Sequence, residues 1–231
     1  MVLSATTVYR FFDAVRIPFA ALALIATVAA PCACAGELVI RVLANNGSPL
    51  ASAVVEVRSL TEQRRPVAPL EASMDQVDLA FAPDVLVVPV GSRIGFPNSD
   101  VISHQVYSFS PARKFQLPLY RGKPYPPVLF DVPGIVTVGC NIHDNMLGYV
   151  FVTDAPYYGR TTAAGTWSIA SLPAGNYAVS VWHQRLRNLA RPLVQNVSVS
   201  PADAHSEFLF QIREPLRPQR MTARRNAEDS Y

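Results

Sequence analysis

Cysteine is the first scarcity. The 231-residue chain has three, and two of them, Cys32 and Cys34, fall in a segment that reads as a removable leader. That segment carries Arg10 and Arg16, an apolar run over 17–30 and the small-residue ending Ala33-Cys34-Ala35. This is the order of parts in a secretory signal peptide, here with residues 1–35 removed by cleavage before Gly36. The run is shorter than the roughly 20 apolar residues a spanning helix needs. The expectation is therefore an exported, periplasmic protein with no membrane span after signal cleavage. Only Cys140 then remains. A lone cysteine in an oxidising compartment has no intramolecular disulfide partner, which excludes a disulfide framework and leaves it free, intermolecular or bound to metal.

Charge is sparse as well. Without the leader the chain keeps 18 basic and 16 acidic residues, and residues 213–231 alone hold five Arg against three acids. The part expected to fold is near neutral, which argues against nucleic acid as a partner. The stretch 213–231 has two prolines, many charges and little to bury, so it is expected to be a disordered tail. Histidine and methionine number four each, too few for a His-rich or Met-rich metal tract.

Long helical periodicity is missing too. What is there instead is a series of short runs rich in Val, Ile and aromatics: "ELVIRV", "SAVVEVRSL", "DVLVVPV", "SRIGF", "HQVYSF", "GIVTVGC", "GYVFVT", "TWSIASL", "NYAVSVW", "LVQNVSVS" and "EFLFQI". Gly, Pro, Asn and Ser separate them, the pattern of an all-β sandwich or barrel. A boundary falls at 153–161. Beyond it, "TTAAGTWSIASLPAGNYAVSVWH" resembles the small transthyretin-like β-sandwiches known as carboxypeptidase regulatory-like domains, with "LPAGNY" at the turn before a strand. The resemblance implies a structural or binding module over 155–212. Carbohydrate binding by it would rest on fold analogy alone. The stretch "NNGSPLASAVVEV" at 45–57 reads equally as more of that family or as the opening hairpin of the preceding module.

The chemistry concentrates in "GCNIHDNM", residues 139–146. Cys140 alone would read as an inert buried thiol. With His143 and Met146 beside it, the loop offers a thiolate, an imidazole and a thioether. Two imidazoles and a thiolate with a weak axial thioether hold copper for electron transfer, and the run "SHQVYSF" supplies a second imidazole, His104. Zinc also accepts Cys and His; the soft thioether favours copper. The runs ending at Cys140 and starting at Gly148 make residues 140–146 the loop between two strands. The remaining histidines have plainer readings, His183 as structural at a strand end and His205 as solvated in a polar turn. Met74 reads as core filling, Asp144 as a turn former, and Arg64 and Arg65 as a solvated loop.

At this point the chain resembles a cupredoxin. The Cys-x-x-His-x-x-Met spacing is like the short ligand loop of the amicyanin type. "FPNSDVISHQVYSFS", "LFDVPGIVTVGCNIHDNMLGYVFV" and "VWH" resemble periplasmic proteins labelled methylamine utilisation proteins, which join a cupredoxin to a small β-sandwich. The resemblance implies a cupredoxin Greek-key β-sandwich over 36–154 followed by the carboxypeptidase regulatory-like sandwich over 155–212. It implies one type 1 copper, with His104, Cys140 and His143 as equatorial ligands and Met146 as the axial one. Asn98 takes the supporting position that ties the two ligand segments together and tunes the sulfur. Gln105 stands where many cupredoxins have Asn.

The function implied is a carrier of single electrons between redox partner proteins, leaving through His143, with apolar surface from "NMLGY" and "FPNSD". Copper handling is the alternative, using the same ligands with an exchangeable ion. An enzyme is not expected, because a second copper centre needs further His clusters or a second Cys.

Overall fold

The computed structural model describes residues 35–62, 67–122, 125–186 and 188–200, and the backbone of 205–212. Residues 1–34 of the expected leader, the Arg64–Arg65 loop, the His205 side chain and the charged tail lie outside the described residues. Every regular element among those described is a strand, so no helix there is long and apolar enough to cross a membrane.

Alternation dictates the first element. In β1 (Ala35–Ala44), Leu38, Ile40 and Val42 are buried while Glu37, Val39 and Arg41 face outward or sit at the margin, the period-2 pattern of a strand with one face on a core. β1 pairs antiparallel with β14 (Thr166–Pro173) and parallel with β17 (His205–Ile212). Opposite lies a sheet in the order β13 (Tyr157–Arg160), β2 (Val54–Ser59), β15 (Gly175–Trp182), β16 (Leu193–Val199). The apolar faces of these two sheets share one core, with Trp182 and Leu172 among its largest members.

The second sandwich is built between β2 and β13. Its larger sheet runs β6 (Val85–Pro89), β12 (His143–Thr153), β11 (Gly134–Cys140), β8 (His104–Ser110), β9 (Arg113–Tyr120). The smaller one runs β10 (Val128–Phe130), β7 (Ser92–Gly95), β3 (Glu71–Ser73), and a hairpin of β4 (Asp75–Val77) and β5 (Ala80–Ala82) stands beside them. Their core contains Ile94, Phe96, Val106, Phe130, Val136, Val138 and Val150, together with Met74, Cys140 and Met146.

The sheets therefore divide the chain differently from the expected module at 36–154. β2 pairs with β13 and β15, and β1 with β14 and β17, so residues 35–59 belong with the strands after residue 155. The ambiguous stretch 45–57 resolves the same way.

β12 joins the two cores. Val150 and Val152 point into the second core, while Tyr149 and Phe151 point into the first, where their rings meet Trp182 at centroid distances of 5.5 and 5.7 Å. Burial on both faces explains why "GYVFV" is a continuous apolar run.

Candidate metal centre

β11 and β12 are adjacent antiparallel strands, and their pairing slips at the end that matters. Gly139 pairs with Leu147, but Cys140 pairs with His143. Asn141 and Ile142 make the turn, and Asp144, Asn145 and Met146 bulge out between the two pairings, a local widening of the kind that re-aims side chains. The expected seven-residue loop is thus a tight turn followed by a bulge inside β12. Gly139 allows β8 to approach: a Cβ there would lie 3.2 Å from the Tyr107 ring.

β8 delivers the other imidazole. His104 opens that strand, is 0% exposed, and is set beside β11 by the Tyr107–Gly139 pairing. Its Nδ1 lies 3.1 Å from His143 Nδ1 and 3.8 Å from Cys140 Sγ, and His143 Nδ1 lies 3.6 Å from that sulfur. Three donors from two segments thus converge on one spot. The point equidistant from them is about 2.0 Å from each, close to the ordinary metal–imidazole length of about 2.0–2.1 Å and slightly under the metal–thiolate length of about 2.3 Å. The donor set fits a soft or borderline metal without rearrangement. Among the described residues this is the one cluster of His, Cys, Asp and Glu donors placed to hold an ion.

Met146 sits in the bulge, 1% exposed, in the same core as Cys140. Burial is the larger cause that pushes the His143 imidazole below its ordinary range, with repulsion from His104 adding to it. His143 stays partly exposed, so of the two imidazoles it is the one at the surface.

Asn98 serves one ligand segment. Its amide donates to the Ile102 carbonyl at 3.0 Å and the Tyr120 carbonyl at 2.9 Å, and its Oδ1 accepts from the Asp100 N–H at 3.0 Å. These bonds fix the 98–104 loop to the end of β9, where Tyr120 is the register partner of His104. They stay on the His104 side, which differs from the expected tie across to the Cys140 segment. Tyr120 is held in turn by Gln76 Nε2 at 2.6 Å and by its own hydroxyl's donation to the Phe96 carbonyl. Burial pushes that phenol up to about 12.

Asp100 was not among the residues expected at the site. Its Oδ2 lies 3.0 Å from His104 Nε2, on the far side of the ring from the cluster. An acid four residues before a histidine in a loop gives no periodic cue, so only the folded loop reveals it. The apolar surface is only partly the expected one: Leu147 and Pro97 are partly exposed. Met146, Tyr149 and Phe96 are buried, whereas Val101 (71% exposed), Ile102 and Ile142 (53% exposed) stand on the loops that carry the ligands. His183 is buried in the other sandwich, Met74 fills the core as expected, and Asp144 is exposed.

No family model and no curated protein matches the chain. Among solved structures it is similar to a purple cupredoxin from Nitrosopumilus maritimus, at 22% identity over 36% of this chain and 99% of that one, with a TM-score of 0.32. It is also similar to a copper-containing nitrite reductase from Thermus scotoductus, at 26% identity over 42% of this chain and 25% of that one, TM-score 0.34. A third is the reduced Cu(I) form at pH 4 of an amicyanin mutant, at 19% identity over 42% of this chain and 99% of that one, TM-score 0.34.

Proposed function

We propose that the second sandwich is a cupredoxin that holds one copper ion and passes single electrons between redox partner proteins in the periplasm. The observation that carries this reading is the donor triangle of His104, Cys140 and His143. Met146, buried in the same bulge, is the axial thioether. Copper held there would supply a Cu(II)/Cu(I) couple. The chain's part is to keep the donors still: Cys140 ends one strand, His143 begins its neighbour, and His104 opens a third strand of the same sheet. A set fixed by sheet pairing changes little between two oxidation states, which keeps transfer fast. His143 is the partly exposed imidazole, and Ile142, Val101 and Ile102 are exposed apolar side chains on the segments that carry the ligands, so a partner docking there would meet an imidazole edge. The chain has four histidines in all, too few for a second histidine-rich metal centre, which fits a carrier better than an enzyme.

The test is reconstitution of the protein with Cu(II). The expected result is one tightly held copper per chain and an intense visible thiolate-to-copper band that bleaches reversibly on reduction. A copper that exchanges freely within minutes, with no reversible couple, would favour copper handling instead.

A further inference from the structure

The Asp100 carboxylate is anchored on both oxygens. Oδ2 accepts from the Leu79 N–H at 2.9 Å, Oδ1 accepts from the Val101 N–H at 2.8 Å, and the Asp100 N–H is itself held by Asn98. Its side chain is only 9% exposed. The Leu79 N–H comes from the β4–β5 turn, where Asp78 and Leu79 both have positive φ, 49° and 59°. For a leucine that conformation is rare, and here it points the amide at Asp100. A second tie fixes the same hairpin to the same loop, because Asp75 Oδ2 accepts from the Ser99 hydroxyl at 2.7 Å and Oδ1 from the Ser99 N–H at 3.2 Å.

An ionised carboxylate can only accept a hydrogen bond, so His104 Nε2 must carry the proton. In the neutral ring the lone pair is then on Nδ1, the atom facing Cys140 and His143. We infer that Asp100 is the positioning residue of the centre: braced by the β4–β5 hairpin, it fixes the tautomer and rotation of His104 and presents Nδ1 to the metal. A metal-ligating histidine that donates its other N–H to a carboxylate gains orientation and basicity, and losing such a partner costs about 10–100-fold in metal affinity. The assignment of a metal rests on the function proposed above; the clamp itself does not.

Two readouts test it on the full chain. In the metal-free wild type, nitrogen–proton correlation spectra should show neutral His104 protonated on Nε2. In Asp100→Ala that single tautomer should become a mixture, and titration with cobalt(II), followed by its thiolate absorption, should show roughly 10–100-fold weaker binding. Asp100→Asn, whose amide oxygen still accepts from Nε2–H, should restore the tautomer and most of the affinity. It also serves if the alanine variant folds poorly. A wild-type His104 protonated on Nδ1 would overturn the inference. So would an Asp100→Ala protein that is less stable yet keeps the tautomer and binds cobalt within twofold of wild type. A wild type with the Nε2–H tautomer that takes up no cobalt would sink the metal reading and leave the clamp standing.

Discussion

Among the described residues each sandwich buries one histidine, and the two have opposite surroundings. His183 follows β15 in the first sandwich and is 4% exposed, with its Nδ1 accepting the Arg185 N–H at 3.2 Å. Burial, and then the charge of Arg185, push it down to about 4. Among the described residues no cluster of metal-ligating groups includes it, and it serves as a buried packing element. His104 in the second sandwich is as deeply buried but has a carboxylate on one nitrogen and an imidazole and a thiol on the other. Burial alone does not make a site. Convergent donors on one side of a ring, with a fixed acceptor on the other, do.

The largest effect expected from this comparison concerns how far the sandwiches are separable. A chain ending at Asp154 keeps the three site donors but strips β1 and β2 of every partner strand. It also uncovers the Leu38, Ile40, Val42, Val55 and Val57 faces. Exposed edges and apolar faces of that kind aggregate. Gel filtration and circular dichroism should show an aggregated or unfolded product. A monomeric, folded 36–154 fragment would mean that the first sandwich does not depend on its later strands.

Next in size is the loss of the thiolate. Cys140→Ser changes one buried atom and should leave the fold intact while removing the visible copper band and at least tenfold in copper affinity. Survival of the band would move the sulfur ligand elsewhere, although no other free cysteine exists among the described residues.

His183 offers a prediction on pH. Its folded value lies below the unfolded one, so its neutral form supports folding above about pH 6.5 and that support is lost as pH falls towards 4. A drop of this size is worth roughly 3 kcal/mol. Urea unfolding of the wild type should lose stability over that window, and His183→Gln should flatten the slope. An unchanged slope would show that His183 is not the group that titrates.

The smallest effect is at Met146. Met→Leu is close to volume-conserving and should cost under about 1.5 kcal/mol in stability. Copper should remain, with a higher reduction potential by voltammetry, because a weak axial thioether has been removed. A copper-free Met146→Leu protein would make Met146 a primary ligand.

The strands with strong β patterning were legible before folding. "ELVIRV", "GIVTVGC" and "NYAVSVW" coincide with β1, β11 and β15, because alternation and β-branching are local properties. β9 was not legible. "RKFQLPLY" is charged, contains Pro118 and lies at the sheet edge, where one ladder is open to solvent and proline is tolerated. β3, β4 and β5 are three residues long, below the length at which periodicity can be read. The placement of β1 and β2 is a long-range pairing that no local pattern encodes. For the site, Cys140, His143 and His104 were legible from residue type and strand context, since their donor atoms define the chemistry. Asp100 and the direction of Asn98's bonds were not, because the loop between residues 98 and 104 closes through backbone and side-chain hydrogen bonds that leave no spacing signature.

On the reading proposed above, His104, Cys140 and His143 together hold one copper ion. X-ray absorption at the copper edge, on protein loaded to one equivalent, measures the ligand atoms directly. One sulfur scatterer at about 2.2–2.3 Å and two imidazole nitrogens at about 2.0 Å are expected, in both oxidation states. A first shell of oxygen and nitrogen alone, or one with a single imidazole, would contradict it.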